Sequence, residues 1–170
     1  MLIEKAQVMI GTKARKKEIE KIIKAAKRLA IRYYALTGRP LGITGEIAEW
    51  EAIRLLRLKT APVRQPGYDA LRGRTRLQIK SRSFDQAKPA QRLGQIRLDR
   101  PWDAVLLVVL DMNLKIVAIY EAKRPAIRKA LRKPGSKARN ERGLLAVSQF
   151  KKVATQVWPK TASEGVYMHE

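Results

Sequence analysis

Gly67-Tyr68-Asp69-Ala70-Leu71-Arg72-Gly73-Arg74-Thr75-Arg76-Leu77-Gln78-Ile79-Lys80-Ser81-Arg82 is the stretch on which the fold turns. Two runs with strand character, Tyr68 to Leu71 and Arg76 to Arg82, flank Gly73-Arg74-Thr75, whose glycine suits a tight turn. The pattern predicts a β-hairpin. Along its second strand Leu77 and Ile79 point one way and Arg76, Gln78, Lys80 and Arg82 the other, because successive side chains alternate faces. One face of that strand is polar throughout.

Upstream the chain has helical period. From about Lys13 to Thr37, the residues Ile19, Ile22, Ile23, Ala26, Leu29, Tyr33 and Leu36 recur at three- and four-residue steps, with Thr12 suited to the N-cap and Gly38-Arg39-Pro40 to the stop. Lys13, Lys17, Lys21, Lys24, Arg28 and Arg32 form a second stripe, which reads either as a solvated face or as a track along phosphates. A second helix is expected from Thr44 to about Leu58, and it carries Glu46 and Glu49 on the side that holds Trp50 and Ile53.

Downstream, residues 83 to 100 read as a long excursion with a short strand at Gln95 to Leu98. Trp102 to Leu110 is nearly continuous apolar sequence, the mark of a strand covered on both faces. Asp111-Met112-Asn113 turns it into a strand over Ile116 to Tyr120. Pro125 suits the first position of a short helix over Ala126 to Arg132. A basic loop, Ser136 to Gly143, and a last helix over about Leu145 to Trp158, with Val147, Phe150, Val153 and Val157 inward, complete the core. Residues 161–170 read as a loose tail. The domain expectation is a basic helical element over 1–40 and a core over 41–160.

Composition narrows the partners. The 170 residues carry 37 Lys and Arg against 15 Asp and Glu, a formal net charge of +22 distributed along most of the chain. Such an excess opposes compaction unless a polyanion relieves it, and nucleic acid is the natural polyanion. Transmembrane length is never reached and no secretory pattern opens the sequence, so no membrane partner and a cytoplasmic location are expected. The absence of cysteine excludes disulfides, thiolate metal sites and cysteine nucleophiles. Lys137, Arg139 and Arg142 in the basic loop, Arg76 and Arg82 on the polar strand face, and Lys17, Lys21, Lys24 and Arg28 on the first helix are the candidate contacts to nucleic acid.

The polar strand face also suits phosphodiester hydrolysis, which needs a dication to neutralise developing charge and a group that acts on the attacking water. Asp69 is a hard carboxylate ligand for Mg²⁺ or Mn²⁺, and the Gln78 side-chain carbonyl and Ile79 main-chain carbonyl add neutral oxygens. Lys80 projects from the same face as Gln78 and can orient the water or stabilise the transition state. Either Glu46 or Glu49 can reach the metal from the helix. Asp99, Asp103 and Asp111, at the ends of the buried strand, read as solvated acids or turn caps. Trp50, Trp102 and Trp158 read as core residues, and His169 falls in the tail.

Helix acid, Gly67-Tyr68-Asp69 and Gln78-Ile79-Lys80 occur in the order of the PD-(D/E)xK nuclease superfamily, which the chain resembles over roughly residues 41 to 125. The Q-x-K tripeptide resembles the Mrr-type branch, and Glu49-x-x-Ala52-x-x-Leu55-Leu56 fits its helix better than a register starting at Glu46. The chain is also similar to an uncharacterised bacterial family of stand-alone proteins. The resemblance implies an α/β restriction-endonuclease-like core, a mixed central β-sheet flanked by helices, here preceded by a long basic helix. It implies a metal-dependent nuclease in which Asp69 and Glu49 ligate Mg²⁺, Gln78 completes the shell and Lys80 acts on the water, with DNA favoured over RNA. A homodimer is an expectation carried by the resemblance alone. The neutral Gln78 departs from the common second acid and weakens the hold on a dication, so a non-catalytic nucleic-acid-binding module that keeps the fold is the alternative.

Overall fold

The structure, a computed structural model, describes residues 12–83, 91–132 and 143–160. The chain divides into two units, Met1–Ile43 and Thr44–Glu170.

In the first unit, helix α1 spans Thr12–Thr37. It ends as its sequence requires. Gly38 takes a left-handed φ of +66°, a conformation that costs glycine little, and its N–H donates to the Tyr34 carbonyl at 2.8 Å. Glu18 and Glu20 pair with Lys21 and Lys24 along the solvent side.

The second unit is a mixed α/β fold around a six-stranded sheet whose spatial order follows the chain. Helix α2 covers Thr44–Leu55 and buries Ile47, Ala48 and Ala52. It stops short of the expected Leu58 because Arg57 turns left-handed, at φ +53°, so that Leu58 re-enters the interior and the chain runs out as strand β1, Lys59–Thr60. Strand β2, Ala70–Arg72, pairs antiparallel with both β1 and β3, Thr75–Ser83. The hairpin expected there forms, with Arg72 opposite Thr75 and a positive φ at Gly73, the first of the two loop residues.

Strand β4, Ala104–Leu110, lies parallel to β3 and is buried along its whole length, as its unbroken apolar sequence predicts. Strand β5, Ile116–Lys123, returns antiparallel through a turn in which the Asp111 carboxylate accepts the N–H groups of Asn113 and Lys115. Helix α3, Arg124–Leu131, starts with a proline in its first turn and buries Ile127, Ala130 and Leu131. Together with helix α4, Val147–Lys152, it covers the face of the sheet that carries Val105, Leu107, Val109, Ala118 and Ala122. Strand alternation sends Ala104, Leu106, Val108 and Leu110 to the opposite face, and α2 packs against β3, β4 and β5.

Two expectations are corrected. The last helix does not continue to Trp158: it ends at Lys152, and Thr155–Trp158 forms strand β6 beside β5. Val147, Phe150, Val153 and Val157 fit a helical period, but β5 would otherwise leave a row of unpaired backbone groups, and the β-branched Thr155 and Val157 suit the strand that covers them. Gln95 to Leu98 is not a strand either. Residues 93–96 dock instead on the chain ahead of α4, with Leu93 N–H donating to the Leu145 carbonyl at 2.9 Å and Ile96 N–H to the Gly143 carbonyl at 3.0 Å. Gly143 sits at φ +68° against Ile96, where a Cβ would fall 2.2 Å from the Ile96 oxygen.

Candidate active site

Asp69 stands immediately before β2, where that strand begins to separate from β3. Its own N–H donates to the Leu77 carbonyl at 2.9 Å, and its carbonyl accepts from the Ala61 N–H at 3.0 Å. Its side chain then reaches further along β3, where Oδ2 accepts the Ile79 N–H at 2.6 Å. Two of these bonds fix the Asp69 main chain and the third fixes its carboxylate. Gly67 makes the approach feasible: at φ +92° it passes so close to Arg100 and Pro101 that a Cβ would lie 2.8 Å from the Arg100 Cβ.

Gln78 and Lys80 share the Val105 and Leu107 face, because the parallel register sets Gln78 beside Val105 and Lys80 beside Leu107. Those two neighbours belong to the apolar core. The consequence is an unusual atom: Gln78 Oε1 is buried and has no hydrogen-bond partner among the described residues. An acceptor left so costs about 1–3 kcal/mol, which a cation or an ordered water would relieve.

The charges respond to the same burial. Desolvation raises the Asp69 carboxyl above its ordinary pKa, against the Ile79 hydrogen bond and the Lys80 charge, which favour the carboxylate. Glu49 is raised first by burial, then by the negative charges of Asp69 and Glu46. Burial lowers Lys80, with Arg82 pushing the same way and Asp69 opposing. Of the two helix acids, Glu49 is the half-buried one that senses Asp69, whereas Glu46 lies exposed on the first turn of α2.

The chain matches no protein-family profile and no curated protein sequence.

No cluster of three or more His, Cys, Asp or Glu side chains arranged to hold a metal occurs among the described residues. Glu49 and Asp69 sense each other's charge, and carboxylates together with a neutral amide oxygen such as that of Gln78 are the donor types a hard dication takes. Ile79 is tied in through its N–H, which is committed to Asp69.

The candidate nucleic-acid contacts divide. Arg76 is engaged within the fold, its guanidinium gripping Asp103 at 2.8 and 2.9 Å while its N–H donates to the same carboxylate. Arg82 donates to the carbonyls of Arg92 and Ser81 and so ties the returning loop to β3. Lys17, Lys21, Lys24 and Arg28 are exposed on α1. Lys137, Arg139 and Arg142 lie outside the described residues, as does His169. Asp99 pairs with Arg97, and Asp103 and Asp111 act as the structural acids their positions suggested.

Three features escaped the sequence reading. Glu51 is the acid that α2 buries, and Arg54 holds it at 2.7 Å; the i, i+3 spacing was the available signal. Arg124 stacks 4.6 Å over the buried Trp102 and donates to the Arg100 and Trp102 carbonyls, pinning the approach to β4. The isolation of Gln78 Oε1 depends on parallel pairing with β4, which no local pattern encodes.

Proposed function

We propose that this protein is a metal-dependent nuclease that hydrolyses phosphodiester bonds of nucleic acid, with DNA the favoured substrate and Mg²⁺ or Mn²⁺ the cofactor. The reading is carried by Asp69, whose disfavoured carboxylate is coupled electrostatically to Glu49 on one side and to the partly desolvated Lys80 on the other, with the buried Gln78 oxygen two residues before Lys80 on β3. Glu49, Asp69 and Gln78 would hold the ion, which supplies neutralisation of the scissile phosphate when bound. Lys80, beside Asp69, holds and orients the attacking water and faces the charge that builds on the phosphate as the bond breaks. Burial raises the Asp69 carboxyl, and the Ile79 N–H and the Lys80 charge, which favour the carboxylate, limit that rise. The net charge of +22 draws a polyanion to the surface.

The neutral Gln78 favours one second reading, a module that binds nucleic acid without cutting it, since the site holds one carboxylate fewer than a more acidic set would. Incubating the protein with labelled duplex, branched and single-stranded DNA and with RNA, with and without Mg²⁺ or Mn²⁺, separates the two. Metal-dependent cleavage lost in Asp69→Ala and Lys80→Ala supports the nuclease. Tight, salt-sensitive binding that is indifferent to metal and to Lys80 substitution supports the binding module.

A further inference from the structure

Between Ala61 and Asp69 the chain leaves β1, makes a small excursion and returns to the carboxylate it started beside. The Ala61 N–H binds the Asp69 carbonyl at 3.0 Å, so the loop opens and closes at the candidate metal ligand. Its tip is a β-turn, Pro62-Val63-Arg64-Gln65, closed by the Gln65 N–H on the Pro62 carbonyl at 3.1 Å. Two things about that tip run against folding economy. Arg64 occupies the third turn position at φ +62°, where glycine or asparagine is the unstrained choice. Val63 is 93% exposed, the most exposed large apolar residue among the described residues. Among the described residues three non-glycine positions take positive φ: Arg57 ends α2 and Leu114 lies in the turn between β4 and β5, whereas Arg64 stands at an exposed loop tip, where the strain motivates a functional reading.

We propose that Val63 and Arg64 form a probe that enters the minor groove of B-form duplex DNA and sets the scissile strand against Asp69. A branched apolar side chain beside an arginine matches how proteins enter that groove, the arginine drawn by its negative potential and the apolar group wedged at a base step. Pro62 stiffens the approach to the turn, and the tether to Asp69 converts groove insertion into alignment of a phosphate at the carboxylate. A single strand would call for aromatic stacking instead, and the loop offers none beyond the half-buried Tyr68. The wide, shallow minor groove of an RNA duplex gives such a probe little to hold. This assignment rests on the nuclease reading for its purpose, but its test does not.

The test measures binding of full-length protein, without divalent metal, to a short fluorescein-labelled A·T-rich DNA duplex by anisotropy. Arg64→Gly removes the side chain and the strain together, so it is expected to melt no lower than wild type yet to bind the duplex roughly 10-fold more weakly. Val63→Ser is expected to weaken binding several-fold, while Val117→Ser, an exposed valine on β5, leaves it unchanged. Binding of the matching single strand is expected to change little in any variant. Wild-type affinity for the duplex in both Arg64→Gly and Val63→Ser overturns the proposal, as does equal weakening by Val117→Ser or a wild-type protein that does not prefer the duplex. A protein that binds as expected but never cleaves would sink the nuclease reading and leave the probe standing.

Discussion

Asp69 Oδ2 accepts the backbone N–H of Ile79 at 2.6 Å, a bond that spans the point where β2 parts from β3. One carboxylate oxygen therefore serves the sheet while the group as a whole remains available to chemistry, and substitution can separate the two roles. Asp69→Asn keeps an oxygen for the Ile79 N–H, whereas Asp69→Ala leaves that donor unpaired at a cost of about 1–3 kcal/mol. Both variants should lose cleavage by on the order of 100-fold or more. Only the alanine variant should lose substantial stability by urea unfolding. Equal unfolding midpoints for the two would contradict the assigned bond.

Glu49 carries a raised pKa because burial and the charges of Asp69 and Glu46 oppose its ionisation. For an acid raised in this way the penalty on the fold is absent at low pH, where the group is protonated in both states. It grows as pH climbs from the ordinary carboxylate range through the raised folded value. Glu49→Gln should therefore melt higher than wild type at pH 7 without metal, with the difference vanishing near pH 4. Added Mg²⁺ should reverse the ranking, since a ligand at 100 times its dissociation constant stabilises by about 2.7 kcal/mol and the variant has lost a donor. Thermal melts at both pH values, with and without Mg²⁺, check the sign.

Lys80 has its pKa depressed, chiefly by burial. A base lowered in the fold is penalised while it stays charged, and the penalty is relieved as pH rises past its folded value. Lys80→Met removes the buried charge and should not destabilise the protein at neutral pH. If the proposed role on the reacting water holds, cleavage should fall on the order of 100-fold while metal-free duplex binding changes less than about 3-fold. Binding that collapses in parallel with cleavage would make Lys80 a phosphate contact.

Asp103 is held down to about 2 by the Arg76 side chain and backbone N–H. The stability this carboxylate provides is present above the ordinary aspartate pKa and disappears as pH falls through about 2. The group is largely solvated, so Asp103→Asn should cost only about 1 kcal/mol at pH 7 after allowance for screening. Nuclease activity should be unaffected at temperatures well below melting. Arg76→Met should cost a similar amount, and a double variant no more than either, since both delete one contact.

How much was legible in advance follows from the range of the interactions involved. The hairpin carrying Asp69, Gln78 and Lys80 is local, with turn chemistry at Gly73 and a period of two afterwards, and it was read correctly. Strand β4 announced itself through seven buried apolar residues in a row. The helix acid was narrowed by spacing alone to Glu46 or Glu49, and tertiary placement singles out Glu49 as the one that senses Asp69. Strand β6 was misread because its pairing with β5 is decided by a partner more than thirty residues upstream, roughly three times the reach of a periodicity window. The work done by Arg76 and Arg82 was hidden for a related reason: charge counts say that an arginine is present, not that Asp103 or a loop carbonyl has already engaged it.

Strand order equal to chain order has a bearing on how the molecule is made. Each strand finds its neighbour among residues already synthesised, so the hairpin with Asp69 and Lys80 can form, and β4 and β5 can zip onto it, before the last part of the core leaves the ribosome. Until Thr155–Trp158 arrives, β5 presents an unpaired flank to every other nascent chain. A ribosome stalled before residue 155 would thus release a polypeptide with all its candidate catalytic groups assembled and a sticky seam beside them. The arrival of Thr155–Trp158 moves that edge from the eight-residue β5 to a four-residue strand, and a short edge offers other chains less backbone to pair with.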